Sequence, residues 1–315
     1  PAAHGLFARA IAQSAYMIST PALNVERHGH EPAERAGERL ALALGAAGIA
    51  GLRTMPAEQL AVAALRAGFA PGGTVDGRVL PAQLVEIFER GEQAKVPLLA
   101  GFNSGEVRSL RILVPPLPQT AEQYEAEIRR RYGDLAERFL ALYPSGDITE
   151  SALAAVRDSL YGWTALKLAA TQEAAGLDCF LYYFDHGYPS ASEAGLHGFH
   201  ACELPYLFGT AERTPPLWPA VPTTGTEAAM SRAIGDYWIA FARTGAPRAP
   251  GAPDWSAHAD GGMHMRFAGA PRVADGLLPG MFAFNEEIVR RRRAVGNVPW
   301  NWNAGVAAPL PKAEA

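Results

Sequence analysis

Two side chains in this sequence have the type and placement for acid–base chemistry. Glu106 ends the glycine-punctuated Gly101-Phe-Asn-Ser-Gly-Glu106, and His200 sits in Gly198-Phe-His-Ala-Cys-Glu-Leu-Pro-Tyr-Leu-Phe-Gly209. Imidazole titrates near neutrality, so a positioned histidine can take the proton of a hydroxyl nucleophile and return it to a leaving group. A carboxylate partner fixes the tautomer and stabilises the imidazolium that forms. Taken singly, each residue also has a plain reading, Glu106 as a solvated loop carboxylate and His200 as a hydrogen-bonded loop or core histidine. A second constellation overlaps the first. His197-x-x-His200-x-x-Glu203 places two imidazoles and a carboxylate at regular intervals, which on a continuous helix would share a face and suit zinc. Gly195, Gly198 and Pro205 argue against a continuous helix there and no fourth ligand is apparent, so Glu203 reads as a structural carboxylate and no metal site is expected.

The elements that must position these residues can be read from apolar runs and turn residues. Val96-Pro-Leu-Leu-Ala100 is a compact apolar run between polar ends, as a buried parallel strand would be, and Cys179-Phe-Leu-Tyr-Tyr-Phe184 is another. Glu106 follows the first strand and His200 the second. In a parallel sheet, loops at the carboxyl ends of different strands converge on one edge. Leu6 to Ser14 is expected to be a helix running into a short buried strand, and Met263-His-Met-Arg-Phe267 an edge strand. Helices are predicted over 31–44, 56–67, 81–90, most of 121–176, 226–244 and 280–294, with Thr120-x-x-Gln123 as a capping box. Strands alternating with long helical stretches indicate an α/β protein with a mainly parallel sheet. Acid before histidine, each after its own strand, is the chain order of an α/β-hydrolase.

Four blocks, in order, carry a family resemblance. Leu6-Phe-Ala-Arg-Ala-Ile-Ala-Gln-Ser14 resembles the stretch after the nucleophile elbow of type-B (cholinesterase-like) carboxylesterases. Val96 to Glu106 resembles their Val-Pro-x-Leu-x-Gly-x-Asn-x-Asp-Glu, and the segment from His200 to Gly209 their His-x-x-Glu-Ile/Leu-Pro-Tyr-Val/Leu-Phe-Gly. Asp236-Tyr-Trp-Ile-Ala-Phe-Ala-Arg-Thr-Gly245 with Pro253-Asp-Trp255 resembles their carboxyl-terminal aromatic region. The resemblance implies an α/β-hydrolase fold, a carboxylic ester as substrate, no cofactor, Glu106 as triad acid and His200 as general base. It matches Ser14 to a family serine near the acid, which either orients Glu106 or simply packs the turn, and it favours a secreted or periplasmic setting. Gly105 stands where Asp usually precedes the acid, and Ala201 where Gly often follows the histidine. No Gly-x-Ser-x-Gly occurs in the sequence, and Ser104, two residues from the acid, is a poor substitute. Residues 1–315 are therefore expected to be the carboxyl-terminal part of a single hydrolase domain, packed against an amino-terminal part that brings the serine and the oxyanion donors. The rival expectation is a non-catalytic esterase-like binding module.

Composition agrees with a chain that buries a sizeable core, since 49% of the 315 residues are apolar and 19% charged. A formal charge of −4 gives no reason to expect nucleic acid or an anionic membrane surface as partner, and no apolar run is long enough to span a bilayer. Cys179 and Cys202, the two cysteines, have no metal-ligand spacing and read as small buried residues. Among the remaining candidates, Trp163 is expected in the core or lining an acyl pocket, Arg108 and Arg111 on the solvated surface, and Arg290 to Arg293 at a solvated helix end.

Overall fold

A computed structural model describes residues 3–69 and 71–300. Five strands form one sheet in the order β1 (Ala10–Gln13), β2 (Leu98–Asn103), β3 (Cys179–Phe184), β4 (His264–Ala268) and β5 (Ala270–Ala274). The first four run parallel and β5 returns antiparallel along β4. Every residue of β2 and β3 is buried, so their continuous apolar runs serve two cores rather than one. Successive side chains alternate between faces. Leu98, Ala100, Phe102, Cys179, Leu181 and Tyr183 pack on one side against the helix Trp163–Ala174. Leu99, Phe180, Tyr182 and Phe184 pack on the other against Met230, Ile234, Tyr237 and Phe241 of the helix Gly225–Thr244. This is the layered α/β architecture expected from the order of elements.

The helix Gly225–Thr244 carries its own signals. Thr224 accepts from the Glu227 amide at its start, and Gly245, at φ +87°, ends it in the left-handed region. Thr120 likewise accepts from the Gln123 amide, but the Gln123 side chain turns back to the amide of Gln119 rather than closing a box on Thr120. The helical stretch up to residue 174 is interrupted by a π turn at Asp158–Gly162 between the helices Ile148–Arg157 and Trp163–Ala174.

Several expectations are corrected. Residues 6–9 form bends and irregular chain rather than a helix, and β1 is not buried, with Ile11 39% exposed. Ala10 and Ala12 are too small to fill their side of the sheet, and a cavity of about 590 Å³ lies along them, walled by Phe7, Phe88, Leu98 and Leu168. The helix expected over 81–90 is confined to Leu84–Glu89, because Gln83 and Glu86 form a capping box that starts it late. Strand β2 continues through Gly101-Phe-Asn103, which had read as loop. The strand at 264–268 is not an edge. Gly269, at φ +77°, turns the chain so that β5 pairs with it, and Pro271 is tolerated because β5 is the outer strand.

Gly101 has a steric reason. A Cβ there would lie 2.3 Å from the Tyr182 carbonyl oxygen and 2.4 Å from the Tyr182 ring, so strand and ring pass through the space a side chain would need. Gly101→Ala is expected to destabilise the fold by about 1–3 kcal/mol, read as a lower urea midpoint with an unchanged slope.

Candidate active site

Strand register brings the two candidate residues together. Beyond the last paired residues of β2 and β3, the Ser104 amide donates to Phe184 O and the Gly105 amide to Gly198 O. An isolated parallel bridge then joins Gly105 to Phe199. The acid loop and the histidine loop are thus sewn together one residue before each candidate side chain. A Cβ at Gly105 would lie 2.6 Å from Leu196 O, so the Asp usual at this position would force the two loops apart.

Glu106 opens the short 3-10 turn Glu106–Arg108 and is fully buried. A buried carboxylate is tolerable only when its oxygens are saturated by donors. Oε1 accepts from the Ser14 hydroxyl at 2.6 Å and from the Asn103 amide at 2.8 Å, and Oε2 faces His200 Nδ1 at 2.5 Å. Since the carboxylate can only accept, Nδ1 carries the proton and Nε2 presents its lone pair. No protein group among the described residues bonds Nε2, and the ring is about one-third exposed, at 36%. The Tyr161 ring, carried by the π turn, packs on the imidazole with centroids 5.8 Å apart, and Tyr16 packs edge-on against Tyr161. The hydrogen bond to Glu106 raises the His200 pKa above its ordinary value, and burial opposes it. Chemically such an arrangement can serve as a general base, with one nitrogen locked to a buried anion and the other open.

A second buried carboxylate lies beside the first. Glu203 accepts from Asn103 Nδ2 at 2.5 Å and from Gln13 Nε2 at 3.1 Å, while Asn103 Nδ2 also donates to Phe199 O at 2.9 Å. Gln13, Asn103 and Tyr161 were not singled out from the sequence as site residues. The available signals were a polar residue at the end of each of two apolar strands and a Tyr-Gly pair inside a helical stretch. Ser14 sits on Glu106, which is the orienting one of its two readings.

Other candidates take the plainer reading. His197 is exposed on a bend whereas Glu203 is buried, so the three-residue spacing does not converge; among the described residues no three His, Cys, Asp or Glu side chains are gathered as a metal would require. Trp163 is in the core and donates to Glu286. Arg108 is not simply solvated, because it bonds Gly195 O and pairs with Glu150 of the helix Ile148–Arg157; Arg111 is exposed. At the helix end, Arg290 pairs with Glu287 and Arg293 with Glu89, but Arg291, paired with Asp134, and Arg292 are buried, so the expectation of a solvated end is corrected for these two. Cys179 and Cys202 are both free and buried. No helix among the described residues is long and apolar enough to cross a membrane.

Backbone strain gathers here. Of the five non-glycine residues with positive φ among the described residues, Ser14 (50°) directly follows β1 and His197 (49°) and Ala201 (68°) lie on the histidine loop. Ala201→Gly is expected to stabilise the protein by about 0.5–1 kcal/mol, seen as a higher melting temperature, because relief of the left-handed conformation exceeds the added chain entropy. For His200 the sign is as follows. Its folded pKa lies above the ordinary 6.5, so the Glu106 pairing stabilises the fold fully below that pH and the gain is lost as pH rises through the raised value. Glu106→Gln is expected to bring the His200 midpoint back down, measured by NMR titration of the ring protons, and to flatten that part of the stability curve.

The profile of the carboxylesterase family matches residues 1–279. Carboxylesterase 3 of Pongo abelii is 26% identical over 304 residues, covering 87% of this chain and 52% of its own length. Human neuroligin-2 is 25% identical over 280 residues, covering 78% of this chain and 32% of its own. The crystal structure of the Geobacillus stearothermophilus carboxylesterase EST55 superposes with a TM-score of 0.70 at 26% identity, over 90% of this chain and 59% of that one. The chain thus spans about half the length of carboxylesterase 3. With the family match over most of its residues, and with the α/β-hydrolase sheet and helices described above, the chain belongs to the carboxylesterase family.

Proposed function

We propose that this chain supplies the acid and the base of a serine-type carboxylic ester hydrolase that works through an acyl-enzyme. The observation that carries the reading is the Glu106–His200 pair, with Nδ1 bound to a buried carboxylate and Nε2 open. In this reading Nε2 removes the proton of a serine hydroxyl as it attacks the ester carbonyl, and Glu106 stabilises the resulting imidazolium. His200 then protonates the leaving alcohol. In the second half it takes a proton from water, which attacks the acyl-serine, and returns it as serine leaves. No cofactor is required for these steps.

The serine and the oxyanion donors are proposed to lie on the amino-terminal side of residue 1, in the other part of the same hydrolase domain. Two observations support this. The chain spans about half the length of its relatives, and the outer edge of β1 is unpaired among the described residues, with an apolar cavity beside it. An open parallel strand flanked by apolar surface is where a further strand and helix would pack.

The gene sequence ahead of Pro1 is expected to encode a Gly-x-Ser-x-Gly whose serine is labelled by a fluorophosphonate. In the protein so extended, His200→Ala is expected to reduce hydrolysis of a p-nitrophenyl ester at least about a thousandfold, with the circular dichroism spectrum unchanged. An upstream sequence without that serine would favour an esterase-like binding module, and activity surviving in His200→Ala would remove His200 from the mechanism.

A further inference from the structure

The second carboxylate beside the acid–base pair has a constrained hydrogen-bond polarity. Trp238 has only a donor, and its Nε1 donates to Gln13 Oε1 at 3.1 Å. That orients the Gln13 amide so that its Nε2 must donate, and the acceptor is Glu203 Oε1 at 3.1 Å. On the other side Asn103 Nδ2 donates to Phe199 O at 2.9 Å and to Glu203 Oε2 at 2.5 Å. Both Glu203 oxygens therefore accept from amide donors, which calls for a carboxylate and not a carboxyl group or a carboxamide. The chain Trp238–Gln13–Glu203–Asn103 joins the helix Gly225–Thr244, the end of β1, the histidine loop and the end of β2. Asn103 is its hinge point, because its backbone amide also donates to Glu106 Oε1 at 2.8 Å.

Resting on the general-base reading above, we propose that Glu203 and Asn103 are positioning residues for that reaction. They clamp the loop bearing His200 onto the strand end bearing Glu106, and Glu203 adds a second buried negative charge three residues along the chain from His200. Glu203 is three residues after His200 and 4% exposed, and Phe199, held by the same Asn103 amide, immediately precedes it.

The groups facing this pair from each packed element are Glu106 beyond β2, Tyr182 of β3, Tyr161 of the π turn, and Cys202 in the histidine loop. Burial pushes Tyr182, Tyr161 and Cys202 upward, away from neutrality. Burial also pushes Glu203 up, and the Asn103 hydrogen bond acts against it. The charge of Glu203 adds to that of Glu106 in raising the His200 pKa. Removing it leaves the imidazolium less supported.

The test compares Glu203→Gln with wild type and His200→Ala in the full-length protein, following p-nitrophenyl ester hydrolysis across pH. The carboxamide puts an N–H against either the Asn103 or the Gln13 donor. The expected result is a fall in kcat of roughly ten- to a hundredfold with KM within about twofold, because the support is needed where charge develops. The rising limb of the kcat/KM profile is expected to move to lower pH. A folded Glu203→Gln with kcat and limb unmoved, or with only KM raised, overturns the proposal. If His200→Ala retains activity, the general-base reading itself fails and the clamp fails with it. If His200→Ala is inactive and Glu203→Gln is unmoved, only the clamp fails. Should Glu203→Gln not fold, Gln13→Met removes one donor at a half-buried strand position, and its limb is also expected to shift downward with a several-fold loss of kcat. An unmoved limb in folded Gln13→Met likewise overturns the proposal.

Discussion

The complete burial of the Glu106 carboxylate is the constraint around which this part of the molecule is organised. A charge removed from water costs several kcal/mol unless donors replace the water, and the donors here come from three different strands' ends. Ser14 follows β1, the Asn103 amide ends β2, and His200 lies on the loop after β3. None of these is a sequence neighbour of all the others, so the carboxylate is satisfied only when the parallel register is correct. The pairing Leu98↔Cys179 through Asn103↔Phe184 supplies that register. A slip of one residue would turn the shifted strand's side chains to the wrong cores and leave the anion without partners.

The same constraint accounts for where strain is tolerated. Ser14 and Ala201 occupy left-handed backbone in exchange for placing a hydroxyl and an imidazole on Glu106. Gly105 does the opposite service, since the absence of a Cβ lets the acid loop lie against Leu196 and Gly198. Departures from the family's usual residues at 105 and 201 thus fall on the backbone beneath the pair and leave its carboxylate and imidazole together. The π turn adds a wall on the remaining side, widening the helix by one residue so that Tyr161 reaches the imidazole.

Much of the fold was legible before any coordinates. The strand Cys179–Phe184 matches its apolar run residue for residue, because a strand buried on both faces leaves a continuous signature. The helix Gly225–Thr244 begins beside its Thr cap and ends before Gly245. The misreadings have local causes. Gly101-Phe-Asn103 looked like loop because glycine and asparagine usually punctuate, yet Gly101 is in the strand to make room for Tyr182. Strand β5 was invisible because Ala270-Pro-Arg-Val-Ala274 lacks alternation and contains a proline, which only an outer position permits.

The sequence by itself determined the alternation of apolar runs and helices, the order acid-then-histidine, and four family blocks, because these depend on residue type and spacing along one dimension. Only the tertiary structure decided which polar groups meet. Gln13 and Glu203 are 190 positions apart, and Trp238 and Gln13 are 225 apart. No local pattern marks such pairs, since a buried hydrogen bond is defined by the donors and acceptors that folding leaves without water. That is why Glu106 and His200 stood out as residue types in suggestive loops and Glu203 only as a structural carboxylate, while Asn103 and its bonds to Glu203 and Glu106 emerged only when strands and loops were assembled.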